Sequence, residues 1–220
     1  MARAKINGVE LNYELHGNGD EPLVLVHGYT GDITDWRLVL PEVTQTHRVL
    51  IMDHRGHGAS EAPSDRSAYS ILQMADDAEA LIALAGFERY HLLGHSMGGA
   101  IAQEIALRSP GRLLSLTLQD TSHRFSLGRN EVVKKFIEQR NRLAEEKGMA
   151  AIVAMPALVP PPPHMPKERT AETDLRLARM SVDAYIGAWQ GLSVWQGTTE
   201  RAKDIAAPTM VIYGELEAPP

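Results

Sequence analysis

Apolar runs and helix-like segments alternate along the first half of the chain, and this order restricts the fold more than any other feature. Strand-like runs cover residues 23–26, 48–52, 90–93 and 113–118. Residues 71–85 and 100–107 lie between them and carry apolar side chains at helical spacing. A β-α-β-α order predicts a parallel sheet with helices on both faces.

The start of the sheet follows a different pattern. Residues 8–16 alternate between apolar and polar side chains, which is typical of a strand with one face in water. Residues 23–26 (LVLV) are apolar without interruption, as in a strand covered on both faces. The sheet is therefore predicted to begin antiparallel and to continue parallel.

The alternation stops after Asp120. Two amphipathic helices are predicted over residues 130–147 and 173–190, with four consecutive prolines between them, and a strand returns at residues 208–214. A helical block between two sheet strands indicates a lid. We predict a core over residues 1–120, a helical lid insertion over 121–200, and a return to the core over 201–220.

Composition excludes several kinds of function. The formal net charge is −6 and the charges are interspersed, which disfavours nucleic acid and anionic lipid as partners. The N-terminal residues lack the apolar run of a signal peptide, and no apolar stretch could span a bilayer, so we expect a cytoplasmic protein without a membrane partner. The absence of cysteine rules out disulfides, thiolate metal sites and a cysteine nucleophile.

The clearest chemical signal is the segment GHSMGG at residues 94–99, between a predicted strand and a predicted helix. A turn this tight strains its central residue, so the positions two before and two after it must be almost free of side chain; here they are Gly94 and Gly98. Ser96 would then stand at a helix N-terminus, where negative charge is stabilised. We interpret Ser96 as a nucleophile and the N–H of Met97 as an oxyanion donor.

A second oxyanion donor is predicted in the segment HGYT at residues 27–30, which directly follows the first parallel strand. A glycine-containing turn at this position can direct the N–H of Tyr29 towards the serine. We expect His27 to hold this loop by hydrogen bonds, because a histidine fixed in the turn cannot easily also reach the nucleophile.

The segment DHRGHGAS at residues 53–60 suits a tight turn at the same sheet edge. His54 and His57 could suggest a metal pair, but no third ligand clusters beside them in the sequence. We therefore expect a structural turn, and neither a metal nor a cofactor.

These three segments, in this order and at these spacings, resemble the α/β-hydrolase superfamily, and specifically its lid-bearing serine esterases, lactonases and carbon–carbon bond hydrolases. The resemblance covers essentially the whole chain. It implies a mostly parallel α/β-hydrolase sheet flanked by helices, with a helical lid inserted before the last strand present. It also implies cleavage of a small apolar carboxylic ester, thioester or lactone through an acyl-enzyme on Ser96. Related dehalogenases and epoxide hydrolases carry aspartate at that position.

The resemblance implies two candidates for the catalytic acid. The family's acid usually follows the strand after the lid, and Glu217 in the segment GELE matches that position. Some relatives take it from the strand before the lid, which gives Asp120 as the alternative. We favour Glu217, because an aspartate at a strand end is commonly a turn or cap residue.

No residue matches the family's catalytic histidine, which lies downstream of the acid. The last histidine of the chain is His164, within the proline-rich stretch. We therefore expect the chain to be a fragment of a longer enzyme, with low activity because the serine lacks its base.

Candidate residues for the substrate pocket come from the predicted lid: Met155, Tyr185, Trp189 and Trp195. Each could equally be ordinary packing. Two alternative functions stay open, a catalytically impaired or non-catalytic member of the fold that binds a small ligand, and a cofactor-free perhydrolase. The sequence leaves the oligomeric state open.

Overall fold

The computed structural model describes residues 2–125, 131–156 and 166–214 of the chain. Its sheet contains seven strands: β1 Ala2–Ile6, β2 Val9–His16, β3 Glu21–Val26, β4 His47–Met52, β5 Tyr90–His95, β6 Leu113–Gln119 and β7 Thr209–Ile212. Their order across the sheet is β1-β2-β4-β3-β5-β6-β7. The pairs β1–β2 and β2–β4 are antiparallel and all later pairs are parallel, which confirms the predicted change of direction.

The described helices are α1 Leu40–Val43, α2 Ile71–Leu84, α3 Met97–Arg108, α4 Glu131–Lys147, α5 Met149–Val153, α6 Lys167–Arg179 and α7 Val182–Val194. Short 3-10 helices cover Ile33–Trp36, Arg66–Tyr69 and Ala202–Asp204. No described helix has the length and apolar character needed to cross a membrane.

The predicted single helix over residues 173–190 is wrong. The backbone of Met180 is extended, with φ −65° and ψ 143°, so α6 ends at Arg179. Ser181 then caps a new helix, because its side chain accepts a hydrogen bond from the N–H of Ala184. The apolar spacing continues across this break, so the periodicity did not reveal it.

Two apolar layers cover the sheet. The larger one packs α2 and α3 against the sheet and includes the fully buried Met74, Ile82 and Ile101. The smaller one, on the side of α1, contains Leu25, Trp36, Val49 and Ile51. Burial of these side chains is the main stabilising term for the core, and it places the C-terminal ends of β3, β4 and β5 side by side.

Helices α4 to α7 lie between β6 and β7 in the chain. Helix α7 packs against the 3-10 helix Arg66–Tyr69 of the core, and α4 packs against α5 and α7. A Cβ atom at Gly191 of α7 would lie 2.1 Å from the carbonyl oxygen of Tyr69, so only glycine permits this close approach. Arg176 of α6 also pairs with Asp35 at 2.6 Å. The helical insertion is thus docked on the core, while its role as a lid stays a prediction.

Candidate active site

Ser96 occupies a sharp turn between β5 and α3, with φ 52° and ψ −117°. A Cβ atom at Gly94 would lie 2.3 Å from the carbonyl oxygen of Gly98, and one at Gly98 would lie 2.2 Å from that of Val26. Backbone atoms therefore fill the space that side chains would need. The two glycines are required by this crowding, as the spacing of the motif indicated.

The end of β6 fixes the turn from the other side. The N–H of Ser96 donates to the carbonyl of Gln119 at 2.9 Å, and the hydroxyl of Thr121 donates to the carbonyl of Ser96 at 2.7 Å. Asp120, between these two partners, itself has φ 46°. The nucleophile candidate is thus held by its own strand and by the neighbouring one.

The loop of residues 27–30 lies directly against the serine. A Cβ atom at Gly28 would be 3.1 Å from the Cβ of Ser96 and 3.0 Å from Nδ1 of His95. The next residue, Tyr29, therefore has its backbone beside the nucleophile. Met97 opens α3, and the first N–H groups of a helix have no acceptor within the helix. Both proposed oxyanion donors thus lie next to Ser96.

His27 is fully buried and has both ring nitrogens in hydrogen bonds. Nδ1–H donates to the carbonyl of Gly28 at 2.8 Å, and Nε2 accepts from the N–H of His54 at 3.1 Å. Burial, followed by the nearby His54 and His57, lowers the pKa of His27 well below its ordinary value. A neutral histidine with both nitrogens engaged holds the loop and has no lone pair left for the serine proton.

The turn of residues 53–60 is built on buried polar contacts. Asp53 accepts hydrogen bonds from the backbone of Ile33 and Ala59 and from the side chain of Asn12. Burial raises the pKa of Asp53, and these hydrogen bonds oppose the rise. The carboxylate joins the turn to the loop that carries Tyr29, a role that the sequence pattern does not reveal.

An ion pair anchors the same turn to α2. Arg55 contacts Asp77 through Nε at 2.7 Å and through a second nitrogen at 2.8 Å, and both side chains are buried. Burial lowers the pKa of His54 to about 3 and that of His57 to about 4. Both histidines are therefore neutral parts of a packed turn.

Aromatic side chains from the core and the insertion meet above the oxyanion loop. The ring of Tyr29 lies 5.6 Å from that of Tyr185 and 5.5 Å from that of Trp189, centroid to centroid. The Tyr29 hydroxyl donates to the carbonyl of Tyr185 at 2.9 Å, and burial keeps its pKa well above the usual value. Met155 packs in the same apolar cluster. Arg140, which the sequence did not single out, donates to the Tyr185 hydroxyl at 2.9 Å.

Trp195 has different neighbours from the other three pocket candidates. Its indole N–H donates to Glu104 at 2.8 Å, and its ring lies 6.1 Å from that of Phe125. Glu104 also pairs with Arg201 at 2.8 Å. Trp195 thus packs the insertion on α3, and its role in the substrate pocket stays a prediction.

Residues 21–217 match the model of the α/β hydrolase fold family. The chain belongs to this family. The structure of an esterase from Thermogutta terrifontis is similar to this chain, with 26% sequence identity and a TM-score of 0.85. The match covers 99% of this chain and 82% of the esterase chain. The enol-lactonase from Burkholderia xenovorans LB400 is also 26% identical, with a TM-score of 0.84, over 97% of this chain and 81% of its own.

The match to one curated relative covers different fractions of the two chains. The dihydrolipoyllysine-residue acetyltransferase component of the acetoin cleaving system of Pseudomonas putida is 34% identical over 158 residues. The match covers 71% of this chain but 42% of that protein, so the chain spans less than half the length of this relative. The similarity therefore concerns less than half of that protein.

Of the remaining predicted site residues, the structure describes Asp120. Asp120 Oδ1 accepts a hydrogen bond from the N–H of Gly214 at 3.1 Å, which connects the ends of β6 and β7. Glu217 and His164 lie outside the described residues. The choice between Glu217 and Asp120 as the acid therefore stays a prediction.

A cavity of about 550 Å³ lies between the core loops and α6. Thr30, Asp32 and His57 line it from the core, and Arg176 lines it from the insertion. Ser96 is not among its lining residues, so this cavity is not the predicted pocket of the nucleophile candidate. From the sequence we also predict that the Ser96 hydroxyl faces a cavity roofed by residues 121–200, and this stays a prediction.

Proposed function

We propose that this chain carries the nucleophile, the oxyanion donors and the acyl pocket of a serine hydrolase that cleaves a small apolar ester, thioester or lactone. The observation that supports the proposal most is the strained backbone of Ser96, with the Gly28–Tyr29 turn packed against it. Strain at a functional group indicates a position that the surrounding fold is built to hold. Similarity to the structures of an esterase and an enol-lactonase supports this proposed reaction class.

In the proposed reaction, Ser96 Oγ attacks the carbonyl carbon of the substrate and its proton passes to a base. The carbonyl oxygen becomes an oxyanion, which accepts hydrogen bonds from the N–H groups of Tyr29 and Met97. Collapse of this intermediate breaks the bond to the leaving oxygen or sulfur, which takes the proton, and leaves an acyl group on Ser96. Water then releases the acid by the same steps in reverse.

The proposed acyl pocket is formed by Tyr29, Tyr185, Trp189 and Met155. Apolar and aromatic walls favour small acyl groups without charge, and no cofactor is needed for acyl transfer by serine. Tyr29 joins the two halves of the site, because its backbone faces the oxyanion while its ring contacts the insertion. We also propose that the protein is cytoplasmic and that the insertion acts as a lid.

The proton acceptor decides how active these 220 residues are. His27 has both nitrogens engaged, and no histidine follows His164 in the sequence. Triad deletions in serine hydrolases lower kcat by about 10⁴ to 10⁶, so we expect the chain to be nearly inactive on p-nitrophenyl esters. Fusing the final strand and histidine loop of the Thermogutta terrifontis esterase after Pro220 should restore turnover.

Ser96→Ala in the fused protein should abolish that turnover, together with labelling by a fluorophosphonate. Ser193→Ala is the matched control, because Ser193 lies in α7 and its hydroxyl donates to the carbonyl of Trp189. Ordinary turnover by the unfused chain, or turnover by the fused Ser96→Ala variant, would contradict the proposal. Binding of esters by a correctly folded but inactive fusion would favour the non-catalytic alternative.

The acid is tested in the same fusion. Glu217→Gln should slow acylation strongly while Asp120→Asn has little effect, because only the triad carboxylate stabilises the imidazolium that forms during attack. The opposite ranking would assign the acid to Asp120. Single-turnover measurement of p-nitrophenol release separates acylation from later steps.

A further inference from the structure

Three side chains with metal-binding atoms meet at the N-terminal ends of β3, β4 and β5. They are Glu21, His47 and His91, and one potential ligand atom of each lies within 4.8 Å of the other two. Glu21 Oε2 is 3.6 Å from Nε2 of His47 and 3.7 Å from Nε2 of His91. We propose that this cluster is a binding site for a divalent transition-metal ion of the Zn²⁺ type.

The strand register brings the three residues together. β3 lies between β4 and β5, and Glu21 is paired directly with His47. His91 is paired with Leu23, which shares a face of β3 with Glu21 because side chains alternate along a strand. All three side chains therefore project from one face of the sheet. This juxtaposition depends on pairing between distant segments and is not visible in the sequence.

The second ring nitrogen of each histidine is already held by the protein. Nδ1 of His47 lies 3.2 Å from the carbonyl oxygen of Val43 and 2.8 Å from the hydroxyl of Thr46. Nδ1 of His91 lies 2.8 Å from the hydroxyl of Ser115. With the proton on Nδ1, each ring donates to these oxygens and keeps a lone pair on Nε2. Metal-binding histidines are oriented by such contacts.

The two separations from Glu21 suit a tetrahedral ion. Ligand atoms about 2.0–2.2 Å from Zn²⁺ lie about 3.4 Å from one another, close to the observed separations from Glu21. The Glu21 side chain is 64% exposed, so it can adjust by the remaining few tenths of an ångström, and solvent can supply a fourth ligand. Two imidazoles favour Zn²⁺, Ni²⁺ or Cu²⁺ over Mg²⁺ and Ca²⁺, which prefer oxygen ligands.

The proposed metal site is remote from the nucleophile. His91 and Ser96 lie near opposite ends of β5, so the rise along the strand separates them by about 16 Å. An ion at this site would connect the N-terminal ends of three neighbouring strands. The ion would bind the folded chain, and unfolding would separate its three ligands. Bound metal should therefore raise the midpoint of thermal unfolding.

The test is titration of the chelator-treated 220-residue chain with Zn²⁺, followed by calorimetry and thermal unfolding. We expect one ion per chain and a higher unfolding temperature, with no effect of Mg²⁺ or Ca²⁺ at the same concentration. His47→Gln and His91→Gln should each weaken Zn²⁺ binding more than tenfold, and Ser115→Ala should weaken it about tenfold. Co²⁺ should give the visible absorption of a site with nitrogen ligands in the unmodified chain and in neither His47→Gln nor His91→Gln.

His16→Gln is the matched control. His16 contacts Glu14 at 2.8 Å, but the three-residue metal cluster found among the described residues does not include either of them. This variant should bind Zn²⁺ as the unmodified chain does. Glu21→Gln changes an exposed residue and should keep the fold while it weakens Zn²⁺ binding. The test therefore does not depend on the stability of the histidine variants. Absence of saturable Zn²⁺ binding, or equal losses in His16→Gln and Glu21→Gln, would overturn the proposal.

Discussion

At the scale of single residues, backbone strain marks the candidate active site. Four described residues other than glycine have positive φ, and three of them are Thr30, Ser96 and Asp120. Each such position costs about 1–3 kcal/mol and persists only where the surrounding fold imposes it. All three lie on loops at the C-terminal ends of β3, β5 and β6, beside one another. The fold therefore loses some stability at the C-terminal ends of these strands, where the proposed chemistry occurs.

Gly98→Ala should disrupt this edge. The new Cβ would lie 2.2 Å from the carbonyl oxygen of Val26, and backbone cannot move aside as a side-chain end can. We expect a loss of about 1–3 kcal/mol in the free energy of unfolding, as for other overpacked positions, measured by urea denaturation. Gly111→Ala is the control, because nothing lies within 4 Å of its added Cβ. Equal losses in the two variants would contradict the crowding at the turn.

The buried histidines predict a stability that falls in acid. The pKa values of His54 and His57, about 3 and about 4, lie below the 6.5 of an unfolded histidine. Their lowered pKa values make the folded state bind fewer protons, so the stability is fully present above pH 6.5 and is lost as pH falls towards 4. Each histidine should contribute a slope of up to about 1.4 kcal/mol per pH unit in this window.

Urea denaturation between pH 7.5 and pH 5 measures this slope while most carboxylates stay ionised. His57→Gln removes one titrating group, so below about pH 6 its slope should be smaller by about 1 kcal/mol per pH unit. An unchanged slope in this variant would show that the acid sensitivity arises elsewhere.

At the scale of elements, the sequence predicted what short-range patterns encode. Apolar runs indicated β3 to β6, helical spacing indicated α2, and the glycine spacing around Ser96 indicated the turn between β5 and α3. β1 was missed because Ala2–Ile6 is largely exposed and mixes alanine with basic residues. The break between α6 and α7 was missed because the capping of Ser181 leaves the apolar periodicity intact.

The candidate site was predictable only where one segment determines it. Ser96 and Met97 lie in one motif, and the position of Tyr29 follows from a second motif at a neighbouring strand end. Contacts between distant segments are visible only in the structure. The Tyr29 hydroxyl donates to the carbonyl of Tyr185, 156 positions away, and the Trp195 indole donates to Glu104, 91 positions away. The metal cluster likewise requires the register of three strands.

At the scale of the whole molecule, one side of the described sheet presents an apolar edge. β7 is the last strand in the sheet order and pairs with β6. Its residues are exposed, with Met210 and Val211 each at 55% and Ile212 at 41%. A strand edge with apolar side chains can pair with the same edge of a second copy.

The 220-residue chain should therefore self-associate through β7, and Val211→Lys should reduce that association. A lysine on an edge strand opposes pairing because two copies would bring like charges together, while its exposed position costs the monomer little, within about 0.5 kcal/mol. Sedimentation velocity at increasing protein concentration measures the effect. Leu38→Lys, at a 64% exposed leucine far from β7 in the chain, is the control and should leave association unchanged. A chain that stays monomeric throughout, or equal effects of the two lysines, would show that β7 is not the associating edge.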